Sequence, residues 1–592
     1  MKGNDFYEAL TPFVSLTLGR PKPAFKEAAL AKAAIDGVKA LLASAVSEKI
    51  VRDIVEASSM VDPRSGAAVS SFRYKRHTSP GWTSDARIVD VENHLAVAIA
   101  LNGLVALHFS DARLRGSVRL NLIADVHKDL PLSWLFAVPR GIMSAAFLQD
   151  GEARTMWLSG THRRNALKAD TKILSGLDLD YALDPFDDQS FFWSAARSRN
   201  AKLNAIIGVS PGSSRVWTRK TASFDDFVSV TASVLVQLRT AKNPLDTPFR
   251  YLASPLTTID PKEVHSAFDV SLVPDELSPE REDDESESSA SSAFVYETNL
   301  VIDQGQPSSP SFSMEAKRNG QSLGTLSVEV KLDPAGKVRF AVKSIKTDQP
   351  ELLDAIAHHI VAGERVNVRY DSGHSISAGH VFTLRNRRVP FHGFEGRDFS
   401  HFDISKEKPS SLDRIGKEDS LFCWVQRNFG GWLACDDGSM EKADFIHLDN
   451  RAKPNVLSLI HVKGANSTAA RRGISVSAYE VVTGQAVKNL LWLDQKRLAE
   501  GLASSVRASN YFWRDKKGIN KRDFVRQLDG VGSNYETRVI VLQPHVSAAR
   551  HLNSSSGAAA QRLRMDQLNV LLASAERTCG ALGAKFSVIC DV

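Results

Sequence analysis

Apolar and polar positions alternate with a different period in successive parts of the chain. From about Pro23 to Ser58, Ala, Val, Leu and Ile recur at three- and four-residue intervals between Lys, Asp and Glu, the spacing of an amphipathic helix. Apolar runs of strand length follow at Ala86–Val91, Leu95–Leu101, Leu104–Phe109 and Ser117–Ile123, and the apolar character returns at Ile206–Val209 and Phe227–Leu238. Together these predict an α/β domain over residues 1–272. Residues 273–292, VPDELSPEREDDESESSASS, hold almost no large apolar side chain, so they cannot bury enough surface to offset the entropy of ordering, and an acidic disordered linker is expected there. A β-rich middle domain is expected over 293–390, with strands at Ala293–Asp303, Leu323–Leu332, Val338–Ile345 and Arg365–Tyr370 and a helix near Pro350–Val361.

From about Phe391 the pattern changes again. Glu418–Phe429 reads as a short helix stopped by Gly430-Gly431, and Trp432–Cys435 as a strand. The turn Asp436-Asp437-Gly438-Ser439 leads to a second strand, Ala443–Leu448, and another turn leads to a third, Leu457–Lys463. After Gly464 and a loop bearing Arg471 and Arg472, a helix is expected from Ser477 to Leu493. The predicted fold class is therefore α/β and α+β multidomain, with 391–592 as its own domain.

Composition narrows the setting. With 592 residues the chain exceeds what one core serves, and 43% hydrophobic with 24% charged residues is ordinary for a globular protein. The longest apolar candidate, His94–Phe109, is too short for a membrane helix and contains Asn102; no signal core opens the chain, and a cytoplasmic protein is expected. Four cysteines are too few and too far apart for a disulfide framework or a zinc knuckle. The net charge of +6 is unevenly spread: residues 451–592 carry 21 Lys and Arg against 10 Asp and Glu, a balance suited to a phosphate polyanion. No Walker A or dinucleotide fingerprint occurs, so opening DNA would need a separate helicase or ATPase subunit. Gly208-Val209-Ser210-Pro211-Gly212 spells a hydrolase elbow, but Pro211 lacks the N–H that an oxyanion hole uses, and a turn is expected.

The candidate chemistry lies on the two strands after the Asp-Asp-Gly turn. Side chains alternate along a strand, so His461 and Lys463 share a face, and Asp444 at the start of the neighbouring strand can sit opposite. A carboxylate, a second ligand and an ammonium group in one place are what metal-assisted phosphodiester hydrolysis needs. Tyr511–Arg526 interleaves aromatic with basic residues, which suits nucleic-acid stacking and phosphate contact as well as it suits an ordinary basic loop. Trp157–Lys172, with Arg163, Arg164, Lys168 and Lys172, is the most basic short piece of the first domain and reads as a charged surface loop.

On these residues the C-terminal part resembles the PD-(D/E)XK, restriction-endonuclease-like superfamily, including the nuclease-like segments of bacterial helicase-associated and defence proteins. Asp444 matches the strand Asp, His461-Val462-Lys463 falls where D/E-x-K belongs, Gln485-Ala486-Val487-Lys488 matches the polar signature of the following helix, and Glu418 stands for the acid of the preceding helix. The resemblance implies a restriction-endonuclease-like core, Mg²⁺ or Mn²⁺ as cofactor, DNA as partner and hydrolysis of its phosphodiester bonds within a prokaryotic anti-phage or anti-plasmid system. It implies metal ligation by Asp444, His461, Glu441 and Glu418, catalysis with Lys463 and Gln485, and DNA contact by Arg471, Arg472 and Lys488. The departure is His461 in place of an acid, and three explanations stand open. His461 is a ligand or proton carrier; or Glu441 supplies the missing carboxylate; or the protein is an inert DNA-binding or scaffold subunit of a defence complex.

Overall fold

Buried positions in the first helix fall at Leu30, Ala31, Ala34, Ile35, Val38, Leu41 and Leu42, a single stripe that packs on the strands Ala68–Thr78 and Asp90–Leu101. The computed structural model describes all residues except 1–6, 8, 46–50, 58, 79, 81–82, 84, 86, 124–130, 149–151, 165–166, 178, 180–181, 185, 243–248, 250–251, 273–297, 335, 347–349, 364–365, 384–388, 390, 439, 470–471, 506–510 and 553–557. The expected acidic linker and Arg471 lie outside the described residues. The chain is mixed α/β and divides into two compact units, Met1–Leu183 with Asp187–Asn386, and Asp184–Phe186 with Arg387–Val592. No described helix is long and apolar enough to cross a membrane.

The larger unit holds a twelve-stranded sheet and two four-stranded sheets. Several elements differ from the sequence expectation. The first helix spans only Glu27–Ala45, because the β-branched run Val51–Glu56 pairs with Ala68–Thr78 as an edge strand. Ser117–Ile123 belongs to a helix, Ala112–Ile123, and not to a strand: Asp111 accepts from the Arg113 N–H at 2.9 Å, and Leu114, Val118 and Leu122 bury at four-residue spacing. The apolar stretch Phe227–Leu238, given no element from the sequence, lies in a helix, Phe224–Thr240, capped by Ser223.

The boundary expected at 272/273 cuts through a sheet. Ala267–Leu272 pairs antiparallel with Val366–Tyr370, and Val264, Ala267 and Val270 share a core with Leu326, Ile356 and Val368. The other middle sheet runs Asn299–Gly305, Phe312–Arg318, Gln321–Leu332, Val338–Lys346, with the Pro350–Ala362 helix against it. Gly208 closes on Trp217, where a Cβ would come within 2.0 Å of the indole, so the Gly208–Gly212 stretch is a packed strand end and not an elbow.

The smaller unit is a three-layer arrangement around one eight-stranded sheet. Its order is Phe394–Arg397, Ala584–Asp591, Tyr535–Ser547, Asn455–Val462, Phe445–Asp449, Trp432–Cys435, Tyr511–Arg514 and Lys517–Gly518. The first four are mutually parallel and the remainder antiparallel. A parallel pair such as Asn455–Val462 with Tyr535–Ser547 requires a crossover, and the helices Ser477–Lys488, Gln495–Ala503 and Lys521–Asp529 lie in that connection. One sheet face (Ile446, Leu457, Leu459) packs under Tyr479, Val482 and Ala486 of the first crossover helix and Leu568 and Leu572 of the Ala559–Ala581 helix. The other face (Leu433, Phe445, Ile460, Val462) packs under Phe422 and Val425 of the Leu421–Asn428 helix. Each such fully buried Leu, Ile or Val contributes about 1.5–3 kcal/mol. Their strict alternation sets which side chains remain for chemistry.

Candidate functional site

Phe445 pairs with Ile460, so Asp444 and His461 come next in register at the ends of adjacent antiparallel strands. Ile446 and Leu459 lie on the face covered by the Ser477–Lys488 helix, and by two-residue alternation Asp444 and His461 belong to that face. Asp444 is 4% exposed and accepts one hydrogen bond, from the Val462 N–H at 2.8 Å. Burial pushes its carboxyl well above the usual carboxylate range, and the charges of Glu441, Asp437 and Glu407 push it further, against the pull of that single N–H.

Asp437, Glu441 and Asp444 gather tightly: one ligand oxygen of each lies within 4.8 Å of the others. The turn makes this possible. Met440 takes φ 62°, the Gly438 N–H donates to Glu441 Oε2 at 3.0 Å, and the Asp436 N–H donates to the Asp444 carbonyl at 3.1 Å. Beneath it the Lys442 ammonium meets the fully buried Asp436 at 3.3 Å and anchors the loop. Gln485 donates from Nε2 to Glu441 Oε1 at 3.4 Å, which ties the helix to the same carboxylates.

His461 is fully buried and, among the described residues, neither ring nitrogen has a hydrogen-bond partner. Burial first, and the Lys488 ammonium second, push its pKa down to about 4, so the imidazole is neutral at physiological pH and keeps a lone pair. A buried imidazole without a partner is costly, but His461, expected as a metal ligand, is not one of the gathered ligand groups: its register places it opposite Asp444, outside the cluster of Asp437, Glu441 and Asp444. Lys463 stands just past the end of that strand; its N–H donates to the Leu542 carbonyl at 2.9 Å and its ammonium meets Glu407 at 2.8 Å while the side chain remains 44% exposed. Lys488 is exposed in the last turn of its helix.

Two expected residues fall elsewhere. Glu418 lies before the helix, which begins at Leu421 with Ser420 as its cap, and is not one of the gathered carboxylates. Ser410 donates to it from side chain and backbone, Lys406 at 3.0 Å and Arg414 at 3.1 Å add to this, and together they hold its pKa down at about 2; it fastens a loop. Arg472 is 8% exposed, donating to the His545 carbonyl at 2.7 Å and the Pro544 carbonyl at 2.9 Å and pairing with Asp591, so its guanidinium is a strand-end brace without donors turned to a phosphate. In the larger unit the basic Trp157–Lys172 stretch is spent internally: Arg164 pairs with Asp170, Lys168 with Asp187, and Lys172 with Asp187 and Asp188.

The structure adds three residues that the sequence reading left out. Asp437 had been assigned to turn chemistry, and Glu407 and Lys408 sit in a loop with no periodicity to flag them. The only signal was that two opposite charges stand side by side between polar residues. Lys408 Nζ lies 2.7 Å from Asp437 Oδ1. Tyr511 and Trp513 stack at 6.2 Å and stay half-buried on the strand beside Trp432–Cys435.

No family model, no curated protein and no solved structure matches this chain.

Proposed function

We propose that the smaller unit is a divalent-metal-dependent nuclease that hydrolyses DNA phosphodiester bonds, with a restriction-endonuclease-like core. The observation that carries the reading is the convergence of Asp444, Glu441 and Asp437 within 4.8 Å, with Asp444 in register opposite a fully buried His461 that has no hydrogen-bond partner among the described residues. The element order supports it: the Leu421–Asn428 helix, the strand that follows Asp444, the strand that carries His461 and the helix that bears Gln485 and Lys488 come in the order that the PD-(D/E)XK resemblance implies.

The residues fit a hard divalent cation. Three carboxylates supply oxygen donors, Asp444 is short of positive partners, and a neutral imidazole nearby favours Mn²⁺ alongside Mg²⁺. Asp437, Glu441 and Asp444 would hold such an ion, which would supply charge neutralisation at the phosphate and a more acidic water. Lys463, reachable from solvent and held at its root by the sheet, offers hydrogen bonds to the attacking water or the phosphate. Gln485 orients Glu441, and Lys488 adds positive charge at the helix end where a backbone phosphate would lie. The host setting implied by the resemblance, an anti-phage or anti-plasmid system, is part of the proposal.

Supercoiled plasmid incubated with the full chain and Mn²⁺ tests this. Nicking or linearisation by the wild type, lost in both Asp444→Ala and Lys463→Ala, is the expected result. Intact plasmid with salt-sensitive binding would instead assign an inert DNA-binding subunit, and RNA in the same assay separates the two nucleic acids.

A further inference from the structure

Resting on that reading, we infer that Lys408 is the resident counter-cation of the carboxylate group, which a divalent ion must displace from Asp437 in order to load. Among the described residues Lys408 is the cation that ion-pairs with a member of the gathered group, at 2.7 Å from Asp437 Oδ1, and it lies 3.9 Å from Oε1 of the neighbouring Glu407. Its placement is built into the fold. The Ala465 N–H donates to the Ile404 carbonyl at 2.7 Å, and the Leu421 and Phe422 N–H groups donate to the Lys406 and Glu407 carbonyls at 2.9 and 3.1 Å. The loop passes so close to Gly464 that a Cβ there would come within 2.6 Å of the Ser405 carbonyl oxygen, so only glycine leaves room. Adjacent residues of one fastened loop thus place Glu407 on Lys463 and Lys408 on Asp437.

The side chain is nevertheless 43% exposed on a flexible stem, and an ion pair of that exposure is weak enough to yield to a doubly charged competitor. Once displaced, the ammonium stays tethered beside the site, where a substrate phosphate supplies the next anion. Loading and substrate capture are then linked through one lysine that lies outside the D/E-x-K strand.

Calorimetric titration of Mn²⁺ into the full chain decides the matter, comparing wild type, Lys408→Met and Lys408→Arg. The Met variant, freed of the competitor, should bind Mn²⁺ about three- to thirtyfold more tightly, while the Arg variant stays near the wild type. Equal affinity of wild type and Lys408→Met overturns the inference and leaves the metal site standing. Absence of Mn²⁺ binding in both overturns the metal site itself, and the inference with it.

Discussion

Asp111 in the larger unit and Asp444 in the smaller are both 4% exposed, yet their surroundings are opposite. Asp111 accepts from the Tyr74 hydroxyl at 2.5 Å, pairs with Arg76 at 2.9 Å and caps the Ala112–Ile123 helix through the Arg113 and Leu114 N–H groups. Asp444 has one backbone N–H, the charges of Glu441, Asp437 and Glu407 crowd it, and the one ammonium in electrostatic reach among the described residues, Lys408, is paired with Asp437. Burying a charge costs several kcal/mol unless partners compensate, so the first aspartate is complete within the fold and the second is not. The proposed metal site rests on the incomplete charge, whereas the complete one is accounted for by architecture alone.

That contrast can be broken by experiment. The largest expected effect is on activity: Asp444→Ala removes the most deeply buried of the gathered carboxylates and should lower plasmid cleavage at least about a thousandfold, with secondary structure by circular dichroism unchanged. Lys463→Ala should cost about a hundredfold in cleavage while Mn²⁺ affinity by calorimetry stays near wild type; a parallel loss of metal binding would place the lysine in a structural role.

Asp111→Ala should act on stability alone. It strands the buried Arg76 and removes a helix cap, at about 3–5 kcal/mol in a urea unfolding curve of the larger unit's transition. Cleavage per folded molecule should not change.

Asp444→Asn should do the reverse when metal is chelated. The folded pKa of Asp444 lies above its unfolded value, so its contribution to stability is present below the ordinary carboxylate range and is lost as pH rises through the raised value. Asparagine keeps the Val462 hydrogen bond without a charge to bury. At neutral pH in chelator its Tm should exceed the wild type's by about 2–6 °C and show a flatter pH dependence, whereas added Mn²⁺ should no longer raise it. A Tm below wild type at pH 7 would mean that Asp444 is already compensated. The smallest effect is expected at Lys488→Gln, about two- to threefold weaker DNA binding with Mn²⁺ affinity preserved, since an exposed single charge contributes little.

Much of the smaller unit was legible along the chain because its signals are local. Gly430-Gly431 stops the helix, Trp432–Cys435 is a strand as read, and the next two strands shift by only one or two residues, to Phe445–Asp449 and Asn455–Val462. The expected helix from Ser477 ends at Lys488, where a 3₁₀ turn, Leu490–Leu493, takes over. Strand alternation puts His461 and Lys463 on one side, although the strand ends at Val462, one residue short of the lysine. Glu418 and Arg472 misled because a lone charge says nothing of its partners: the first is claimed by Ser410, Lys406 and Arg414, the second by carbonyls of a distant strand. The helix at Ala112–Ile123 was misread because its short apolar run also alternates, and the Asp111 cap was passed over.

Periodicity, glycine stops and charge balance were thus properties of the amino-acid order, since each acts within a few residues of backbone geometry. Which charges end up neutralised was decided only by tertiary contact. Ala267–Leu272 found its sheet partner at Val366–Tyr370, and the loop at Ser405–Lys408 crossed Gly464 to bring Glu407 and Lys408 against Lys463 and Asp437. The energy of a buried carboxylate depends on groups a few ångströms away in space and arbitrarily far along the chain, and no window of sequence contains that information.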